Sequence, residues 1–197
     1  MKRQTIQREE EEKGMGNVGL RCAAGALCLA LLAGCGGKQE AGYAQDGYAE
    51  GRLGDTMHTA FFDFAVNRAY LTREFEGYQA IQEGYQLLVA EVTIQNTFWE
   101  SIPMFDSDFQ VQWNSDDPDA YDVPITYYTD AVSGEQLPME YELAEDETRT
   151  GLLVFEVPEG EKDFSISYLE IYEDGTEEDV FFVFFNADEF GGDAVQV

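Results

Sequence analysis

One hundred and ninety-seven residues carry 11 Lys+Arg against 40 Asp+Glu, a formal net charge of −29. With no basic cluster, the chain is excluded from holding nucleic acid by phosphate neutralisation and from docking on anionic headgroups through a polybasic face. It is also not an acidic disordered tail: 44% of its residues are hydrophobic and 14% aromatic, enough for one domain with a core of its own.

The charge is unevenly spread. Five of the bases (Lys2, Arg3, Arg8, Lys13, Arg21) and only four of the acids lie in the first 34 residues, so the remainder carries about −30. Residues 22–34, CAAGALCLALLAG, form an apolar run behind Arg21. At thirteen residues it falls short of the ~20 that a membrane span needs, and it reads as the apolar region of a signal peptide. The run ends in Leu32-Ala33-Gly34-Cys35, followed by polar Gly36-Gly37-Lys38-Gln39-Glu40. Those four residues resemble the bacterial lipobox. The resemblance implies a signal peptide over 1–34, a diacylglycerol on the sulfur of Cys35, and a protein anchored on the outer face of the bacterial cell membrane. Two or more acyl chains give stable anchoring where one does not. The acidic run Glu9-Glu10-Glu11-Glu12 suits a signal peptide poorly, which leaves Met15 as a start beside Met1. Cys22 and Cys28 leave with the signal, so the exported part is expected to hold no disulfide.

Residues 36–54, with six glycines and no period, are expected to be a flexible tether spanning about 25 Å. From residue 55 to 190 the pattern has period two, with 191–197 as a tail. Phe62, Phe64 and Val66 alternate with polar or small residues. Leu88, Ala90, Val92 and Ile94 alternate with Val89, Glu91, Thr93 and Gln95, the pattern of a half-buried strand. Phe109, Val111 and Trp113 follow, then Leu153, Phe155 and Val157, then Phe164, Ile166 and Tyr168. Residues 180–185, VFFVFF, read as a strand covered on both faces. Asp174-Gly175 predicts a hairpin joining 168–173 to 179–185. Residues 143–148 offer at most a brief helical turn. The expected fold is an all-β, immunoglobulin-like antiparallel β-sandwich of about seven or eight strands.

Three blocks strengthen that reading: Leu53-Gly54-Asp55-Thr56 before Phe62-Asp63-Phe64-Ala65-Val66; residues 85–96, YQLLVAEVTIQN; and Leu143-Ala144-Glu145-Asp146-Glu147 before residues 151–158, GLLVFEVP. Together they resemble a telokin-like, immunoglobulin-like domain family of unknown function found in lipoproteins of Gram-positive bacteria. The resemblance covers about residues 53–185 and implies a sandwich and an extracellular location. It supplies no catalytic residues. Where that family has a glycine in the turn before its late strand, this chain has Glu145-Asp146-Glu147.

Chemistry-bearing patterns are few. His58 is the only histidine, and the plain reading is a solvated strand-end side chain. No enzyme activity and no cofactor are expected. Asp106 and Asp108, with the loop of Asp116, Asp117, Asp119 and Asp122, offer the oxygen ligands that suit calcium. The loop lacks the order of an EF-hand and carries Pro118, so an ordinary turn is the plainer reading and no metal site is assigned. Trp99 and Tyr127-Tyr128 fall in loops; rings beside carboxylates suit sugar stacking, but core or partly covered edge is the expected place for them. The sequence thus points to a lipid-anchored binding or envelope-associated interaction module, with a cationic protein or a glycan as partner and no nucleic acid. The alternative is a carbohydrate- or calcium-dependent receptor using Trp99 and the Asp116–Asp122 loop.

Overall fold

A computed structural model describes residues 42–113, 117, 120–171 and 177–188. Cys35, the signal region and the tail therefore lie outside the described residues. Within them no helix is long and apolar enough to cross a membrane.

Among the described residues eleven strands form: β1 (Tyr48–Arg52), β2 (Met57–His58), β3 (Phe62–Thr72), β4 (Tyr85–Asn96), β5 (Ile102–Phe105), β6 (Phe109–Trp113), β7 (Tyr121–Asp122), β8 (Glu140–Leu143), β9 (Thr148–Pro158), β10 (Asp163–Ile171) and β11 (Glu177–Asn186). One sheet has the order β1-β11-β10-β6-β7, a second β2-β3-β4-β9, and β5 pairs with β8. The expected all-β sandwich is present. Its strand count exceeds seven or eight because short strands without a legible pattern join the long ones.

The alternating residues meet between the two large sheets. Phe62 and Phe64 of β3, Val92 and Ile94 of β4, and Phe155 of β9 face Phe109 of β6, Ile166 of β10 and Phe181 of β11 in one buried cluster. Phe64 lies edge-on to Phe109 at 5.3 Å and Phe62 edge-on to Tyr168 at 4.8 Å, geometry that aromatic quadrupoles favour. The register slips at Asn67, between Val66 and Arg68. Val66 and Leu71 are an odd number of residues apart, and this bulge lets both point into the core.

Four expectations are corrected. The tether is shorter than 36–54, because Tyr48–Arg52 forms β1 and pairs in parallel with β11, also breaking the all-antiparallel rule. Ala49 is buried, Tyr48 leans on Phe182 at 5.7 Å, and the Arg52 guanidinium lies 5.4 Å from the Phe184 ring centre. The early part of β4 is buried on both faces rather than one. Leu87 and Val89 point away from the sandwich interior into a second cluster with Leu152, Val154, Phe75 and Ile125. Conversely, the 180–185 run is buried on one face only: Phe181, Val183 and Phe185 are covered, while Phe182 and Phe184 lie partly exposed and stacked on each other. Finally, β8 ends at Leu143 and the chain turns tightly rather than helically, with Asp146 at φ +59°. The predicted hairpin of β10 and β11 forms, its turn lying outside the described residues.

Candidate functional site

The most unusual local chemistry lies where β5 passes into β6. Phe105 is extended, and the Asp108 carboxylate accepts the Phe105 N–H at 3.0 Å, closing a 3₁₀ turn over Asp106–Asp108. Asp106 is completely buried there. Its N–H donates to the Met139 carbonyl at 3.2 Å, and one carboxylate oxygen accepts the Thr126 hydroxyl. Thr126 belongs to a second 3₁₀ turn, Ile125–Tyr127, entered through Pro124. Ile125 is buried against β4 and β9, so the turn is fixed by an apolar anchor on one residue and a hydrogen bond on the next.

The residues after this double anchor are left outside. Tyr127 and Tyr128 are 60% and 64% exposed and meet edge-on at 5.2 Å. The Tyr128 hydroxyl donates to Asp122 at 3.2 Å, and the Val123 N–H donates to the same oxygen at 2.8 Å. Tyr121, Phe105 and Met139 are exposed as well, each on a strand or turn that joins this corner. An aromatic and thioether surface therefore surrounds a buried acid, on a chain whose surface is otherwise strongly acidic.

Burial raises the Asp106 carboxyl above the ordinary range, against the hydrogen bonds it accepts. Burial also raises Asp108, with the Asp106 charge adding to it and the Phe105 N–H opposing. Asp122 is raised by burial and by the Glu156 charge, against its bonds from Val123 and Tyr128. The corner thus holds carboxyls that keep their protons to higher pH than exposed ones, because water is excluded from them.

The residues named from sequence are scattered. Cys35 lies outside the described residues, as do Asp116, Pro118 and Asp119, so the proposed calcium loop is described only at Asp117 and Asp122. His58 is not a solvated histidine: its ring stacks on Tyr43 at 4.1 Å and its Nδ1 lies 2.9 Å from Asp63. Trp99 and Tyr127-Tyr128, expected in core or covered edge, are exposed. Trp99 is 70% exposed, its ring against Phe98 at 5.1 Å in the turn after β4.

The structure does not bring Trp99 to the acidic loop. Asp122 feels the charge of Glu156, which pairs with Leu87 near the start of β4, whereas Trp99 lies beyond Asn96 at its end. Nine residues of strand separate the two, roughly 30 Å. Sequence reasoning missed Thr126, whose hydroxyl donates to Asp106. The local hint was an acid, Asp106, three residues before a strand whose first residue, Phe109, is buried.

Among solved structures, the chain is similar to the ycdA protein of Bacillus subtilis, a candidate lipoprotein, at a TM-score of 0.52 and 15% identity. That match covers 67% of this chain and 38% of the other, well under half the length of ycdA, and shows a shared fold. The yjhA protein of Bacillus subtilis aligns at a TM-score of 0.47 and 24% identity, over 60% of this chain and 81% of that one. MPT63, a secreted protein of Mycobacterium tuberculosis, aligns at 0.49 and 13%, over 71% and 98%. No curated protein sequence matches the chain. A family described as a domain of unknown function, DUF4352, matches residues 51–178, and the chain belongs to that family.

Proposed function

We propose that the protein is a lipid-anchored module on the outer face of a bacterial membrane that binds a cationic protein partner. The anchor is Cys35, read from Leu32-Ala33-Gly34-Cys35, and the domain has the telokin-like, immunoglobulin-like form of the sandwich. The observation that carries the binding role is the exposed cluster of Tyr121, Tyr127, Tyr128, Phe105 and Met139 at one corner. Grouped exposed aromatics are rare on monomeric surfaces without a partner, and tyrosine is favoured at interfaces for its apolar body and polar tip. The excess of acids beyond residue 34 supplies the selection for positive charge: it speeds encounter with cations and repels anionic polymers.

The test is crosslinking on intact cells followed by recovery of the protein, at low and high salt. A basic protein recovered from wild type, lost with Tyr127→Ser/Tyr128→Ser and weakened by salt, is the expected result. Equal recovery by the double variant would remove this corner as the binding face. Release into the medium on Cys35→Ser is the parallel check on anchoring.

A further inference from the structure

At one end of the sandwich the inward rows stop being apolar. Within β4, Gln86 shares the core side with Leu88, and it pairs with Val157 of β9, which is also in the core. Gln86 is only 7% exposed, and its side-chain amide makes no hydrogen bond among the described residues. On the facing sheet, the Ala187 N–H donates to the Lys162 carbonyl at 2.8 Å, carrying the β10–β11 ladder past its last pair. The Leu71 N–H donates to the Asp188 carbonyl at 3.0 Å, which ties the chain just past β11 to β3. Between these ends lies a cleft of about 590 Å³, and buried Leu71 and Gln86 form its inner part. A buried amide without a protein partner is costly unless water or a ligand reaches it, so Gln86 serves whatever fills the cleft.

The rest of the cleft carries both signs of charge. Arg73 and Lys162, two of the six bases beyond residue 34, line it together with Glu159, Glu161 and Asp188. Lys162 is held by Asp188 at 2.9 Å. The Arg73 guanidinium, 81% exposed, stands 4.0 Å from Glu159, beyond hydrogen-bond reach. Its planar fork is therefore open to a second carboxylate. The turn bearing Glu159 and Glu161 is closed by the Glu161 N–H bond to the Pro158 carbonyl at 3.4 Å. It is fastened beside β4 by the Glu159 N–H bond to the Gly84 carbonyl at 2.8 Å. Glu161 itself has no ion pair among the described residues.

We propose that this cleft binds a short zwitterionic peptide, its carboxylate on Arg73, its ammonium on Glu161 and its peptide amide on Gln86. A simple anion would meet three acids in the cleft, and a simple cation would meet two bases; a zwitterion satisfies both signs at once. An amide offers a donor and an acceptor to the Gln86 side chain, which has one of each kind to give. A sugar fits less well, because no aromatic ring among the described residues lines the cleft for it to stack on. The volume lies in the range of small-ligand sites, roughly 300–1,000 Å³. The site stands apart from the partner surface, since none of Phe105, Tyr121, Tyr127, Tyr128 and Met139 lines it.

The test is an NMR titration of the isotope-labelled exported chain with alanyl-alanine, in about 0.15 M potassium chloride to screen diffuse attraction. Two blocked probes run beside it: the N-acetyl form, which lacks the ammonium, and the C-terminal amide, which lacks the carboxylate. The expected result is saturable binding of the free dipeptide, weakened about tenfold or more by either block, the loss that one charge-assisted hydrogen bond implies. Arg73→Gln should weaken the free dipeptide to the same degree and leave the amide form unchanged. Glu161→Gln should do so for the free dipeptide and leave the N-acetyl form unchanged, while Gln86→Leu weakens all three. Arg68→Gln, whose side chain pairs with Glu91 away from the cleft, should change nothing. No saturable binding of the free dipeptide overturns the proposal. Equal binding of either blocked form overturns it too, by making the cleft a site for one sign of charge. Binding retained in Arg73→Gln places the peptide elsewhere and has the same consequence. Arg73 is exposed, so its variant should melt with the wild type and decides even where Gln86→Leu disturbs packing. Failure here leaves the crosslinking result untouched, and the reverse holds.

Discussion

Asn96 shows how much one polar side chain can hold at the end of a strand. It is completely buried, and its amide donates to the carbonyls of Glu100 at 2.8 Å, Leu143 at 3.0 Å and Ala144 at 3.0 Å. Its side-chain oxygen accepts the Phe98 N–H at 2.8 Å. The residue therefore closes the turn bearing Trp99 and ties β4 to the end of β8. Asn96→Ala would strand these groups, each costing about 1 kcal/mol or more, and should lower stability by about 3 kcal/mol. In thermal unfolding followed by circular dichroism the drop should be roughly 10 °C. Asn96→Asp should destabilise as well, since a carboxylate accepts but cannot donate. The asparagine at the strand end was visible in the sequence; its three acceptors, two of them 47 and 48 positions away, were not. Asp146 is a similar case. It holds the left-handed conformation at φ +59° in the turn after β8, which aspartate tolerates better than most residues.

At the scale of the element, the segment through β7 and the Ile125–Tyr127 turn is the part that sequence patterning could not place. It has no period, and its position is set by one buried isoleucine, one threonine hydroxyl and Asp122. The long strands were legible because alternation is a local property, visible wherever one face is buried. The second apolar cluster was not, because what covers Leu87 and Val89 arrives from residues 75 and 125. Asp122 gives this element a pH signature. Its raised carboxyl means that the folded chain binds a proton where the unfolded chain has released it. Stability from this group is therefore greatest in acid and is lost as pH rises from the ordinary carboxylate value, about 4, through the raised one. Asp122→Asn keeps an acceptor for Val123 and Tyr128 while removing the charge. Its midpoint should exceed that of wild type at pH 7, with the gap closing toward about pH 4. A gap independent of pH would show that the carboxyl titrates normally.

For the molecule as a whole, most of the negative charge lies beyond residue 34, in the part that folds into a sandwich whose facing sheets share one aromatic-rich interior, and the boundary between tether and domain decides what that sandwich includes. Composition set the boundary at Gly54, since a glycine-rich stretch with little aliphatic content has no visible reason to pair. The reason lies more than a hundred residues away, in the free edge and half-covered phenylalanines of β11. Strand β1 supplies the edge with parallel hydrogen bonds, and its Tyr48 and Arg52 cover Phe182 and Phe184. Gly51 is needed for close approach: a Cβ there would stand 2.6 Å from the Met57 sulfur. Just upstream, the Gly42 carbonyl accepts the His58 N–H at 2.8 Å, and Tyr43 stacks on the His58 ring. A chain beginning at residue 42 should therefore melt within about 2 °C of one beginning at Cys35. One beginning at residue 55 loses the strand, the ring contacts and the cover over Met57. That loss should cost about 3 kcal/mol, lowering the midpoint by roughly 10 °C. It would also leave β11 as an exposed aromatic edge, which should appear as concentration-dependent aggregation. If the shorter chain melts like the longer one and stays monomeric, β1 belongs to the tether after all.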